Sequence, residues 1–150
     1  MRLRQVYRKD RCLPVYATGH GGIHLLNGLY NAKYDGQPVL AITGNTYYDL
    51  INTFGQQDIP LAQIFSDVAL YSVRVTGPDH IETATNIAIH TALGMRGVSH
   101  LNIPADTQDM TLAEDKQSMH DVSPFHTSFA FATGAQQPTH EALRNAAEVL

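Results

Sequence analysis

Gly19-His20-Gly21-Gly22, followed by His24, is the densest group of residues able to do chemistry in this chain. Glycine lets a backbone turn sharply and lets another group approach it closely. The four residues sit between an apolar run, Leu13–Thr18, and a segment of helical period. The junction between the end of a strand and the start of a helix is where open α/β sheets receive ligands, because backbone N–H groups point outward there. His20 and His24 are four apart, the spacing of a metal pair on one helical face, but no third ligand is recognisable and no metal is expected. A dinucleotide fingerprint would need Gly or Ala where His24 stands and an acidic residue at the end of the next strand, and has neither. Cys12, beside Arg11, is the single cysteine. A cationic neighbour can lower a thiol pKa, yet one unpartnered cysteine before a buried strand is expected to be structural.

These residues need a scaffold, and the periodicity supplies one. Ile23, Leu26, Tyr30 and Tyr34 fall on one face of a helix over 22–34, widened by Leu25, Leu29 and Ala32 and stopped by Gly36 and Pro38. A second apolar run at 38–43 closes a strand–helix–strand unit, which implies a parallel sheet. Residues 45–57 are polar and irregular, and a second helix is expected over 60–67 with Leu61, Ile64, Phe65 and Val68 inward. A strand at 69–75 places Tyr71, Val73 and Val75 on one face and Ser72 and Arg74 on the other. Pro78 and Asp79 open a helix over 79–94, with Ile81, Ala84, Ala88 and Ala92 or Leu93 as its stripe and Arg96 in its last turn. The fourth strand is expected at 98–103. From Ala105 to Gln137 periodicity is lost and Pro124, Gly134 and Pro138 punctuate a linker, with Phe125, Phe129 and Phe131 laid on a surface. Thr139 then caps a helix over 139–150. The expected fold class is α/β, a partial three-layer sandwich around a parallel sheet.

The bulk numbers exclude several classes. A chain of 150 residues fits one ordinary domain. No apolar run approaches the ~18 residues of a membrane span. Half of the ten lysines and arginines fall within the first eleven residues, so the remainder is distinctly acidic and no nucleic-acid partner is expected. The basic start is read as a solvated end. It has no apolar core of a secretory signal, and a lone cysteine suits a reducing compartment, so the expectation is cytoplasmic.

The wording of the central segment adds more. GHGGIHLLNGLYNAKYDGQPVLAITG, residues 19–44, resembles the GPGG…NGLYDA…D..PVLAITG segment of thiamine-diphosphate enzymes of the pyruvate oxidase and acetolactate synthase group. Leu50–Asp58, LINTFGQQD, is similar to that group's I-G-T-x-x-F-Q-E region, and Arg96–Asp106 to its RGPVHL.IP.D ending. The likeness covers residues 13–108, in order. It implies the C-terminal part of a pyrimidine-binding (PYR) domain, preceded by an atypical basic segment, 1–12, and followed by a linker, 109–137, and the first helix, 138–150, of a central domain.

By this resemblance Gly19, His20, Gly21, Gly22 and His24 lie against thiamine diphosphate. His24 matches a position where the group has Asn or His near the cofactor, while His20 replaces a usual proline. Gln57 matches the group's active-site glutamine, whose carboxamide can orient substrate and donate to developing oxyanion charge; Gln56 is the alternative, since Phe54-Gly55 shifts the alignment by one. The group's R-H-E-x segment, whose glutamate bonds the aminopyrimidine, and its GDG…N motif for Mg²⁺ and diphosphate have no counterpart here. The chain is therefore expected to be a fragment of a longer 2-keto acid decarboxylating oxidase or carboligase, inactive alone. Mg²⁺, and FAD in some members, would be held by other segments, and a homo-oligomer or a full-length subunit would complete the site. The alternatives are a non-catalytic PYR-like interaction module and, less favoured by the broken fingerprint, a stand-alone nucleotide-binding domain.

Overall fold

A computed structural model describes residues 12–111 and 138–149. The basic start and most of the expected linker, with its three phenylalanines, lie outside the described residues.

Four strands form one sheet: β1 (Leu13–Thr18), β2 (Val39–Asn45), β3 (Ala69–Arg74) and β4 (Val98–Pro104), in the spatial order β1-β2-β4-β3. All three pairings are parallel, with Leu13 opposite Val39, and Val39 opposite Val98. The α/β expectation therefore holds. The long helices are α1 (Gly19–Tyr34) and α3 (Pro78–Met95), and the shorter ones α2 (Leu61–Ile64), α4 (Ala105–Asp109) and α5 (His140–Val149). β2 and β4 are central and almost wholly buried, as parallel strands covered on both faces must be.

Period-two alternation sorts the core into two halves. On one face Val39, Ala41 and Val98 pack with Leu29 of α1 and with Leu61, Phe65 and Val68. On the other, Leu40, Leu101 and Val75 pack with Ala84 and Ala88 of α3. α3 fits closely because its inward stripe is alanine. The hydroxyl of Ser99 is buried and finds no partner among the described residues. Ser99→Ala should therefore raise stability by about 1 kcal/mol, the cost of an unsatisfied buried hydroxyl, measurable as a higher denaturant midpoint at unchanged slope.

Several sequence expectations shift. The first helix begins at Gly19, not at residue 22, because Gly19 makes the whole reversal in one residue at φ +48°. Its inward stripe is rotated from Ile23 and Tyr34, which are exposed, to Gly22 and Leu29. The reason is Gly22: a Cβ there would lie 3.1 Å from both Cδ atoms of Leu61 on α2 and 3.5 Å from Thr43 Cγ2 on β2, so the helix seats on both through its glycine. The second helix is one turn, 61–64, though Leu61, Phe65 and Val68 are inward as expected. The third strand ends at Arg74. Arg96 stands past the end of α3 and closes it in the left-handed conformation glycine usually takes. Residues 105–109, expected as linker, form α4.

Among the described residues, β1 is an edge strand. Leu13 donates its N–H to the carbonyl of Pro38, just before β2, so Pro14 and Tyr16 turn their backbone groups away from the sheet. Tyr16 is 85% exposed. Cys12 packs beside the second core half, and burial pushes its thiol pKa up, which suits a structural cysteine.

Candidate functional site

β1 and β2 are neighbours, run parallel, and so deliver their outgoing segments to the same end of the sheet. After β1 comes the glycine segment in the first turn of α1; after β2 comes the loop of residues 46–60. The two meet. A Cβ built on Gly19 would lie 2.9–3.0 Å from Cβ, Cγ and Cδ of Gln57. Their meeting follows from the shared direction of β1 and β2. Gln56 and Gln57 are both exposed, but the three atoms nearest a Cβ built on Gly19 all belong to Gln57.

The loop is held in an unusual backbone state. Asn52, Phe54 and Gln57 all have φ near +60°, a region costly for residues with a Cβ. Local bonds support it: Phe54 N–H donates to Asp58 Oδ2 at 3.2 Å, and Ile59 N–H to the Gln57 carbonyl at 2.9 Å. Tyr48 N–H reaches Asp106 Oδ2 on α4 at 3.4 Å. Gly19 and Gln57 are thus both in left-handed conformations and in contact. Gly19→Ala should cost about 1–2 kcal/mol from the left-handed backbone alone, and should also displace Gln57. A denaturation series on Gly19→Ala, Gln57→Ala and the double variant checks this: the cycle should show coupling, because removing Gln57 relieves the contact but not the backbone strain.

The glycine segment itself divides. Gly19 and Gly22 are buried and required by packing. His20, Gly21 and His24 are exposed. A Cβ on Gly21 would touch only Ala17, at an ordinary 3.6 Å, so the fold does not itself demand glycine there. The first-turn N–H groups have no intrahelical partner. Among the described residues, no three His, Cys, Asp or Glu side chains gather as metal ligands.

One group was not among the candidates named from the sequence: His100. It is fully buried, stacks on Phe65 with ring centroids 4.0 Å apart, and lies between Thr43 and Ser72. Burial depresses its pKa to about 4. The available signal was the strand period: Val98, His100 and Asn102 share a face of β4, and that face turns polar toward the end of the sheet where Gln57 sits. β2 does the same through Val39, Ala41 and Thr43.

Comparison with known proteins fits this geometry. The chain is 34% identical over 139 residues to a Bacillus subtilis protein named as thiamine pyrophosphate-containing, YdaP, a match covering 93% of this chain. It is 36% identical over 90 residues to the pyruvate oxidase of Lactiplantibacillus plantarum, 60% of this chain. This chain belongs to the thiamine-diphosphate enzyme family. A probable acetolactate synthase large subunit of Methanocaldococcus jannaschii is also similar, at 29% over 96 residues, 63% of this chain. No family model matches. The chain spans only 22%, 15% and 16% of the lengths of these three relatives. The fold is that of a PYR-domain portion of such an enzyme. No described helix is long and apolar enough to cross a membrane.

Proposed function

We propose that this chain supplies the pyrimidine-facing part of a thiamine-diphosphate site in an enzyme that decarboxylates 2-keto acids of the pyruvate type, as an oxidase or a carboligase. The observation that carries the reading is Gln57 packed on Gly19 at the C-terminal ends of adjacent parallel strands, in a chain of this family. The cofactor lies along Gly19, His20, Gly21, Gly22 and His24, with Gly21 leaving the backbone open to close approach. Gln57 directs its carboxamide to the substrate. When bound, thiamine diphosphate supplies the carbon nucleophile for the keto group; the residues of this chain hold and orient. Residues 13–108 form the PYR portion, 109–137 a linker, and 138–150 the first helix of a central domain. Exposed Leu143 and Val149 on α5 suit a helix that packs on such a domain. Mg²⁺, and FAD where it is used, bind other segments, and a second subunit closes the site. The compartment is the cytoplasm, consistent with the single cysteine.

Titration of the ¹⁵N-labelled chain with thiamine diphosphate and Mg²⁺ tests this. Shifts are expected at residues 19–24 and Gln57, and no shift there overturns the reading. The chain alone is expected to release no CO₂ from labelled pyruvate under the same conditions; cofactor-dependent release would refute the division of labour. A second reading, a non-catalytic module that pairs with a full-length subunit, draws on Tyr47, Tyr48, Leu50 and a wholly exposed Phe54 on one loop. Sedimentation with such a partner, repeated with Phe54→Ser, distinguishes it: that variant should abolish association while cofactor shifts persist.

A further inference from the structure

We propose that His100 is a positioning residue for the loop that holds Gln57 against Gly19: an unbroken series of side-chain hydrogen bonds runs through its imidazole and fixes both ends of that loop.

The series starts at the loop's first residue. Thr46 N–H donates to Asn45 Oδ1 at 2.9 Å, and Asn45 Nδ2 donates to Asn102 Oδ1 at 3.2 Å. Asn102 Nδ2 donates to Thr43 Oγ1 at 2.9 Å, and Thr43 Oγ1 lies 2.8 Å from His100 Nε2. His100 Nδ1 lies 2.8 Å from Ser72 Oγ, which donates to the Ala62 carbonyl at 2.9 Å. Ala62 is in α2, just past the loop's last residue. The two ends of residues 46–60 are therefore joined through the sheet, across β2, β4 and β3.

Donor and acceptor chemistry fixes the direction. The Ala62 carbonyl can only accept, so the Ser72 hydroxyl commits its one hydrogen there and must accept from Nδ1–H. Nε2 is then bare and accepts from Thr43, whose oxygen accepts in turn from Asn102. Each link donates the same way, and no other side chain is both acceptor at one ring atom and donor at the other. The groups that meet the ring, Thr43, Ser72 and Phe65, are uncharged, as is Asn102 beyond them. Phe65 clamps the ring by stacking, and lies one turn after Leu61, which seats Gly22. A core that needed only volume at this position would not need the two ring nitrogens at these two ends.

The test is NMR on the full 150-residue chain, reading the Gln57 Hγ–Gly19 Hα cross-peak and relaxation dispersion at the Gln57 amide against Val39–Val98 cross-peaks in the sheet. His100→Phe keeps the ring stack but cuts the series in its middle. Ser72→Ala, at a half-buried site, removes the bonds to the Ala62 carbonyl and to His100 Nδ1 while leaving the ring and the Thr43 end in place. Each removes two bonds of the series, so the ratio of undocked to docked loop should rise at least about fivefold, the weight of one neutral hydrogen bond, with the sheet cross-peaks unchanged. Ser72→Thr, which keeps the hydroxyl, should restore docking. Persistence of the Gln57–Gly19 cross-peak in folded Ser72→Ala, or its loss only in step with the sheet cross-peaks, overturns the proposal; should His100→Phe fail to fold, Ser72→Ala decides. Neither result bears on cofactor shifts at residues 19–24, so this inference and the proposed function fail separately.

Discussion

Acidification from pH 7 to pH 4 should remove about 3 kcal/mol of stability through His100 alone. Its folded pKa is held at about 4, because the ring is buried without a charged partner. Unfolded, it titrates near the ordinary 6.5. Below that value the unfolded chain takes up a proton that the folded chain refuses. The contribution is therefore complete above the unfolded pKa, falls as pH drops through the window from 6.5 to 4, and changes no further once the folded state protonates as well. Against a total of ~5–15 kcal/mol for an ordinary domain, this is a large fraction. Denaturant midpoints across that window check it. His100→Phe should flatten the slope, and an unchanged slope would show that other groups carry the acid sensitivity.

Phe65→Ala should be the most damaging single truncation in the described core, at about 3–5 kcal/mol. The side chain is wholly buried, belongs to the cluster of Leu61, Val68 and Val98, and stacks on His100. Its removal opens a cavity and takes the lid off a polar series, so the loss combines packing with weakened hydrogen bonds. Phe54 offers the contrast within the same molecule: it is 100% exposed, and Phe54→Ala should move stability by less than about 0.5 kcal/mol. Thermal and denaturant unfolding of the two variants side by side measures the difference. Similar losses from both would mean that Phe54 is covered in solution.

Much of the fold was legible because local signals agreed with the global one. Three strands were marked by apolar runs next to Gly or Pro, the third by alternation of Tyr71, Val73 and Val75 with Ser72 and Arg74, and the stripe Ile81, Ala84, Ala88 by period. What misled was α1, where apolar residues encircle much of the helix and period alone could not tell the Gly22–Leu29 face from the Ile23–Tyr34 face. The choice was made by a tertiary contact, Gly22 on Leu61, that no local pattern encodes. α4 was lost for a related reason: Ala105–Asp109 is polar and short, and is tied down by bonds to distant backbone such as Tyr48 N–H. At the candidate site, the meeting of Gly19 and Gln57 came from strand direction. The His100 series did not, since a histidine inside a strand announces neither its burial nor partners 28 and 57 residues away.

Pro14 has a consequence for how copies of this chain behave when crowded. A bare strand edge is a template: each outward N–H and carbonyl invites another chain to pair, and repeated pairing leads to fibres. On β1 the outward positions are Pro14, Tyr16 and Thr18, and the first has no N–H to offer. An incoming strand would therefore meet a break in the ladder at one end and the start of α1 at the other, which leaves too short a stretch to nucleate cross-β growth. Restoring the missing donor with Pro14→Val would lengthen the template without disturbing the bond from Leu13 to Pro38, turning a blocked edge into an adhesive one.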